Sequence, residues 1–188
     1  MNPSTDDIVK AINATHSDVV FVLPNNKNII MSAQQAVQLV EDKQVVVLQT
    51  KTIPQGIGAM LGFDDSMSVE ENVANMEANI SMVKSGNVTY ADRDSVFFEQ
   101  KINKGEFLAL SEGQLIDVSA DRVETTVKLI EKMCEDGEEL ITIYYGEGVD
   151  EEETNALSEI CAERLGGDLD INVIYGGQPV YYYIISAE

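Results

Sequence analysis

The chain has 188 residues, of which 44% are hydrophobic, and its 12 basic and 33 acidic side chains give a formal net charge of −21 at pH 7. A chain this acidic is not expected to bind nucleic acid, because that binding depends on basic groups. An anionic membrane surface would also repel it. Because the sequence has no 18-residue apolar run and no signal-like N-terminal segment, we expect a cytoplasmic protein that does not insert into membranes.

Residues 1–86 predict an N-terminal α/β lobe with a mostly parallel sheet. Two short apolar runs, residues 19–23 and 45–48, are typical of strands that are covered on both faces. A first helix is predicted to begin near Ser4, and apolar residues at helical spacing predict a second helix between the two strands. This alternation is typical of parallel α/β architecture.

A long helix is predicted to close the first lobe. Ser68 and Glu71 form a capping box at its start, and Gly86 follows the last apolar position. Charge also changes near this point, since residues 1–90 carry a net charge of −5 and residues 91–188 a net charge of −16. We therefore place the first domain boundary near Gly86.

The rest of the chain predicts a meander and a second lobe. Residues 87–118 read as an antiparallel β-meander with turns at Gly105 and Gly113. Residues 119–188 again alternate helices and strands, beginning with a helix whose predicted N-cap is Ser119. The predicted fold class is therefore α/β, with two α/β lobes flanking the meander.

Two predictions concern the end of this second lobe. Its second helix is predicted to stop at the pair Gly166-Gly167, and a tyrosine-rich run predicts a final strand over residues 180–186.

The sequence lacks the usual motifs for nucleotide or metal chemistry. It contains no phosphate-binding loop of the Walker type, and the glycine pairs Gly56-Ile-Gly58 and Gly146-Glu-Gly148 lack the third small residue of a dinucleotide motif. His16 is the single histidine, and the two cysteines, Cys134 and Cys161, are far apart in sequence. We therefore predict no catalytic residue and no metal site, and two reduced thiols.

Two loops combine features of a binding site. Each follows a predicted strand and leads into a helix, so parallel strands would bring both to the carboxyl edge of one sheet, where open α/β sheets bind ligands. They contain amides, hydroxyls and two lysines but no acid, which suits a carboxylate, a phosphate or an acidic partner; ordinary helix capping with solvated lysines explains them equally well. The candidate ligand- or partner-binding residues are Asn25, Asn26, Lys27, Asn28, Thr50, Lys51, Thr52 and Gln55.

The same loops carry a family resemblance. Four stretches, VFVLPNNKNIIMSAQQA (20–36), QTKTIPQGIGAML (49–61), VTYADRDS (88–95) and GGQPVYYYIISAE (176–188), resemble the C-terminal region of bacterial dihydroxyacetone-kinase-like proteins. That group includes the ATP-binding subunit of fatty acid kinase. The third stretch adds Arg93 to the candidate binding residues.

The resemblance implies a DegV-like fold and a larger parent kinase. In such a parent, an N-terminal domain binds ATP and magnesium, and a middle region carries zinc-ligating residues. The C-terminal domain docks a DegV-type fatty-acid-binding subunit, whose acyl chain is phosphorylated for phospholipid synthesis. This chain would need no cofactor of its own, and its partners would be the remaining domains of the parent and that DegV-type subunit.

Three functions are open at this stage. The favoured one is a non-catalytic docking module for the DegV-type subunit. The first alternative is a domain that binds a small anionic ligand or a fatty acid at the two loops. The second is an oligomerisation domain, a homodimer paired through the tyrosine-rich final strand.

Overall fold

The computed structural model describes residues 2–97, 100–166 and 169–188, and it divides the chain into two compact units, Met1–Val83 and Lys84–Glu188. The first unit ends within three residues of the boundary expected near Gly86. The second unit contains both the predicted meander and the predicted C-terminal lobe, because their strands share one sheet.

The first unit alternates helices and strands along the chain. Its elements are α1 (Thr5–Ala14), β1 (Val19–Val22), α2 (Lys27–Val37), β2 (Gln44–Val47), α3 (Ile53–Leu61) and α4 (Val69–Met82). Strands β1 and β2 pair in parallel, with Val20 opposite Val45. The four helices begin at the polar N-caps Ser4, Asn26, Thr52 and Ser68, each of which accepts a hydrogen bond from a backbone N–H of the first turn.

Both faces of the β1–β2 pair are covered. On one face, Val20 and Val45 pack against a cluster formed by α1 and α2, centred on Ile12 and Ala33. The opposite face carries Phe21, which packs against a second cluster with buried residues from α3 and α4. Burial on two sides explains why the strands are continuously apolar rather than alternating.

The second unit is built on a mixed sheet. Its elements are β3 (Lys84–Tyr90), β4 (Ser95–Phe97), β5 (Gln100–Ile102), β6 (Phe107–Ser111), β7 (Gln114–Ser119), α5 (Arg122–Met133), β8 (Leu140–Tyr145), α6 (Glu151–Leu165), β9 (Asp170–Tyr175) and β10 (Tyr183–Ala187). Among the described residues, the sheet order is β7-β6-β3-β10-β8-β9, with β8 and β9 parallel and the other pairs antiparallel. The mixed α/β class predicted from the sequence is confirmed.

The last strand of the chain lies inside this sheet. Strand β10 pairs with β3 on one side and with β8 on the other. Its two sides are therefore occupied, and the predicted homodimer contact through the tyrosine-rich strand is wrong. The strand also begins at Tyr183 rather than at residue 180, because Val180 has a φ of +73°, which breaks the extended backbone.

Two predicted helix boundaries are also corrected. Gly86 lies within β3 and does not end a helix; a Cβ added there would lie 2.6 Å from Sδ of Met133, so the glycine permits close packing of α5. The N-cap of α5 is Asp121, not Ser119, whose hydroxyl instead accepts a hydrogen bond from the Asp121 N–H at 2.9 Å.

Helix α6 ends at Leu165 with Gly166 as its C-cap, and Gly167 of the predicted stop lies outside the described residues. No helix in the described part of the chain is long and apolar enough to cross a membrane.

Candidate functional site

The two predicted binding loops lie side by side in the first unit. They leave the carboxyl ends of the parallel strands β1 and β2, as the sequence predicts. A direct hydrogen bond joins them, since the backbone N–H of Asn25 donates to the Thr50 hydroxyl oxygen at 3.0 Å. Thr50 is fully buried, so this bond fixes the spacing of the loops from inside.

Several backbone N–H groups of these loops are bonded within the fold. The Asn28 N–H donates to the Asn26 side chain at 2.9 Å, which caps α2. At the start of α3, the Lys51 N–H donates to Oε1 of Gln55 at 2.9 Å. The Gln55 N–H in turn donates to the Thr52 hydroxyl at 3.3 Å. These helix-start donors are therefore already satisfied, whereas a ligand at this edge would need them free.

Asn25 occupies the narrowest point between the loops. Its φ is +54°, a left-handed conformation that asparagine tolerates better than most residues. Its side chain lies against the backbone of α3, because a Cβ added at Gly56 would stand 2.2 Å from Asn25 Oδ1. That oxygen is buried and has no hydrogen-bond partner among the described residues. The Asn25 side chain therefore fills the space beside Gly56.

The lysines are the charged groups that the loops leave exposed. Lys27 begins α2 and Lys51 precedes α3, and both side chains face solvent, whereas Gln55 is buried beside them. Arg93, the ninth candidate, is exposed in the turn between β3 and β4 and belongs to the second unit. The structure thus groups eight of the nine candidate residues at one edge of the first unit.

A further feature of this edge is the exposed side of α3, which was not predicted from the sequence. Four bulky apolar side chains of this helix face solvent: Ile53, Ile57, Met60 and Leu61, here called the α3 stripe. Their spacing of four, three and one residues is the usual pattern of a buried helix face, so spacing alone indicates core. The run Gly56-Ile-Gly58-Ala59 could have revealed that the α3 stripe is exposed, because its three small residues are buried on the opposite side of the helix.

The C-terminal tyrosines have structural contacts in the second unit. Tyr183 is fully buried in the sheet, and desolvation, followed by the charge of Glu153, raises the pKa of its hydroxyl. Next to it, the guanidinium of Arg122 lies 4.5 Å from the ring centroid of Tyr182 and forms an ion pair with Glu153. These contacts join α5, α6 and the start of β10.

The first unit also contains an apolar groove that the candidate binding residues do not line. It has a volume of about 360 Å³ and runs between α1 and β1, and residues such as Ile8, Ala11 and Val20 line it, but none of the nine candidate residues does. Within residues 2–97, 100–166 and 169–188, no group of three or more histidine, cysteine or acidic side chains is arranged to hold a metal ion.

Comparison with known proteins identifies the family. The family model for the C-terminal part of FakA-like fatty acid kinase subunits matches residues 1–188, the whole chain. The chain belongs to this family. Protein YloV of Bacillus subtilis (strain 168) is 42% identical over all 188 residues, which make up 34% of YloV. The chain therefore spans about a third of the length of the curated relatives it matches, and the resemblance seen in the sequence is confirmed.

Solved structures confirm the fold. The Fak B3 protein of Streptococcus pneumoniae, a fatty acid kinase protein loaded with linoleic acid, superposes with a TM-score of 0.66 at 16% identity, covering 99% of this chain and 76% of that one. The dihydroxyacetone kinase of C. freundii, in complex with AMP-PNP and Mg²⁺, gives a TM-score of 0.64 at 14% identity over 98% of this chain and 41% of the kinase. At these identities the likeness establishes a DegV-like and dihydroxyacetone-kinase-like fold.

Proposed function

We propose that this chain is a non-catalytic docking module of a fatty acid kinase, which holds a DegV-type fatty-acid-binding subunit for acyl phosphorylation. The observation that carries the proposal is the match of the whole chain to the C-terminal family of FakA-like fatty acid kinases. ATP, magnesium and any zinc would be held by parts of the parent protein outside this chain. The chain would hold the acyl-bearing subunit and so raise its local concentration near an ATP site elsewhere.

The structure of the loops supports docking over the binding of a small anion. An anion site at a helix start needs backbone donors that the fold leaves unused, but the backbone N–H groups of Asn25, Asn28, Lys51 and Gln55 already have acceptors. Lys27 and Lys51 remain as exposed charges, which suit carboxylates on the rim of a protein interface. A larger partner can use such exposed charges without entering the buried part of the loops.

The proposal is tested by titrating the chain with a DegV-type fatty-acid-binding protein loaded with oleate, followed by calorimetry and by co-elution on a sizing column. We expect saturable binding, and no binding of inorganic phosphate or free oleate by the chain alone. The control is a full-length parent protein, which should bind the same DegV-type protein. If the parent binds and the folded chain does not, the docking role is excluded; if the chain binds oleate by itself, the ligand-binding alternative replaces it.

A further inference from the structure

Helix α3 is oriented with its bulky side chains outward. Met60 and Leu61 are 65% and 75% exposed, whereas Gln55 and Ala59, on the other side of the helix, are buried. At 3.6 residues per turn, the four residues of the α3 stripe lie within an arc of roughly 100°. The helix therefore presents a continuous apolar strip to solvent and turns its small and polar side to the core, the reverse of an ordinary surface helix.

Packing between α3 and α4 fixes this orientation. A Cβ added at Gly58 would lie 2.8 Å from Cγ2 of Val83, and one added at Gly62 would lie 2.9 Å from the backbone oxygen of Asn75. The two glycines, four residues apart, thus let the backbone of α3 approach α4 closely. No bulky side chain fits on that side, so rotation of the helix cannot bury the α3 stripe.

The size and charge of the α3 stripe resemble those of an interface centre. It exposes an apolar area on the order of 400 Å², within the ~300–600 Å² of the largest patches on monomers, which are often functional. From Thr52 to Phe63 the sequence carries no charged residue, in a chain with 33 acidic side chains. Absence of charge at the centre with charged groups at the rim, here Lys51, is typical of a protein interface.

The net charge of the chain and the area of the α3 stripe together indicate which kind of partner binds there. A second copy of this chain or an anionic lipid surface would bring a further negative charge against a chain of net charge −21. The patch is about half of the ~800 Å² per partner of a standard interface and far below a permanent one, so it suits a partner that binds and leaves. A protein that delivers an acyl chain and then departs has this property.

We propose that the α3 stripe is the docking surface for the DegV-type fatty-acid-binding subunit, with Lys51 at its rim. This inference rests on the proposed docking function and adds the face that performs it. The partner should present an apolar patch with at least one carboxylate placed to meet Lys51. Since Met60 and Leu61 are the most exposed members, they should contribute most of the binding energy.

The test compares Met60→Glu and Leu61→Glu with Met82→Glu. Met82, at the end of α4, is 64% exposed and lies in the same unit, so its substitution adds the same charge at a site of equal exposure. We expect each α3 variant to raise at least tenfold the Kd for an oleate-loaded DegV-type subunit, and Met82→Glu to change it less than threefold. Circular dichroism and Tm of the three variants verify that each remains folded.

The outcomes separate this inference from the proposed function. Failure of the wild-type chain to bind the DegV-type subunit removes the docking function itself. Binding that all three variants retain, or lose equally, leaves docking intact and rejects the α3 face. Sedimentation of wild type and Met60→Glu, alone and with phosphatidylcholine–phosphatidylglycerol vesicles, completes the test. A Met60-dependent dimer or a Met60-dependent vesicle association would assign the face to a second copy or to lipid, and would overturn the inference.

Discussion

At the scale of single residues, the contact between Asn25 and Gly56 determines how closely the two loops approach. The asparagine side chain stands where a Cβ at position 56 would be, 2.2 Å from its Oδ1. The backbone N–H of Asn25 also donates a hydrogen bond to the buried Thr50 hydroxyl, which holds the loop after β1 close to the loop after β2. Asn25 thus couples the end of β1 to the first turn of α3.

This coupling predicts the behaviour of a pair of substitutions. Gly56→Ala should destabilise the chain by about 1–3 kcal/mol, because the added methyl group overpacks a filled site, although alanine is normally favoured over glycine in a helix. Asn25→Gly keeps the positive φ and removes the obstructing side chain, so the double variant should recover most of the loss. Urea unfolding of the two single variants and the double variant measures this. A Gly56→Ala variant as stable as wild type would contradict the close packing.

At the scale of elements, helix α4 illustrates how local chemistry sets a boundary. The Ser68 N–H donates to the carboxylate of Glu71 at 2.9 Å, and the Glu71 N–H donates to the Ser68 hydroxyl at 3.2 Å. Hydrogen bonds to the carboxylate, first from the Ser68 backbone N–H and then from the Ser68 hydroxyl, favour its charged form and lower the pKa of Glu71 below its ordinary value of 4.5. The carboxylate half of the capping box therefore contributes its stabilisation to the folded chain while Glu71 is ionised.

A pH titration of stability tests this cap. Since the pKa of Glu71 is lowered on folding, its contribution is complete above pH 4.5, the ordinary value, and is lost as the pH falls through the lowered folded pKa. Wild type should be more stable than Glu71→Gln at pH 7, and the difference should shrink towards zero in acid. Thermal unfolding of both proteins from pH 7 to pH 3 measures the difference. A difference that stays constant or grows in acid would contradict the assignment.

The elements also show what a sequence can predict. Strands β1 and β2 and the capping box of α4 depend on neighbouring residues, and the sequence predicts their positions correctly. Which side of α3 faces the core is not predicted. The spacing of apolar residues shows that a helix has an apolar side, but not whether that side is buried or exposed. Gly86 is misassigned because glycine marks both helix ends and sites of close packing.

Pairing between strands that are distant in sequence explains why the position of the final strand is predicted wrongly. The position of β10 between β3 and β8 depends on strands about 40 and 95 residues earlier in the chain, and no local pattern carries that information. The candidate loops are placed correctly at one sheet edge, since parallel strands impose that arrangement. Their hydrogen bonds to one another are not predictable, because capping residues and ligand-binding residues are of the same types.

At the scale of the whole molecule, the charge is concentrated in the second unit. Residues 84–188 contain 23 acidic and 8 basic side chains, a net charge of −15, against −6 for residues 1–83. The first turn of α6 alone carries Glu151, Glu152 and Glu153. The electrostatic field of these charges extends over about a Debye length, so it would influence the approach of a partner. The apolar α3 stripe, in contrast, would act only on direct contact.

This division predicts a kinetic signature for the docking reaction. If the second unit steers a basic surface of the DegV-type subunit, the association rate constant should fall several-fold between 50 and 500 mM salt, while the dissociation rate changes little. The double variant Glu151→Gln, Glu152→Gln should weaken that salt dependence, and it leaves the Arg122–Glu153 ion pair in place. Stopped-flow association measures both. An association rate independent of salt would exclude steering.

The most direct measurement of the docking function is competition with a full-length relative in acyl phosphate formation. The isolated chain, added in excess to a full-length FakA-like kinase, ATP, magnesium and an oleate-loaded DegV-type subunit, should capture that DegV-type protein. We predict inhibition that rises with the concentration of the chain and is relieved by additional DegV-type protein, and no phosphoryl transfer when the chain replaces the kinase. Unchanged acyl phosphate formation in the presence of the folded chain, or transfer by the chain alone, would contradict the account.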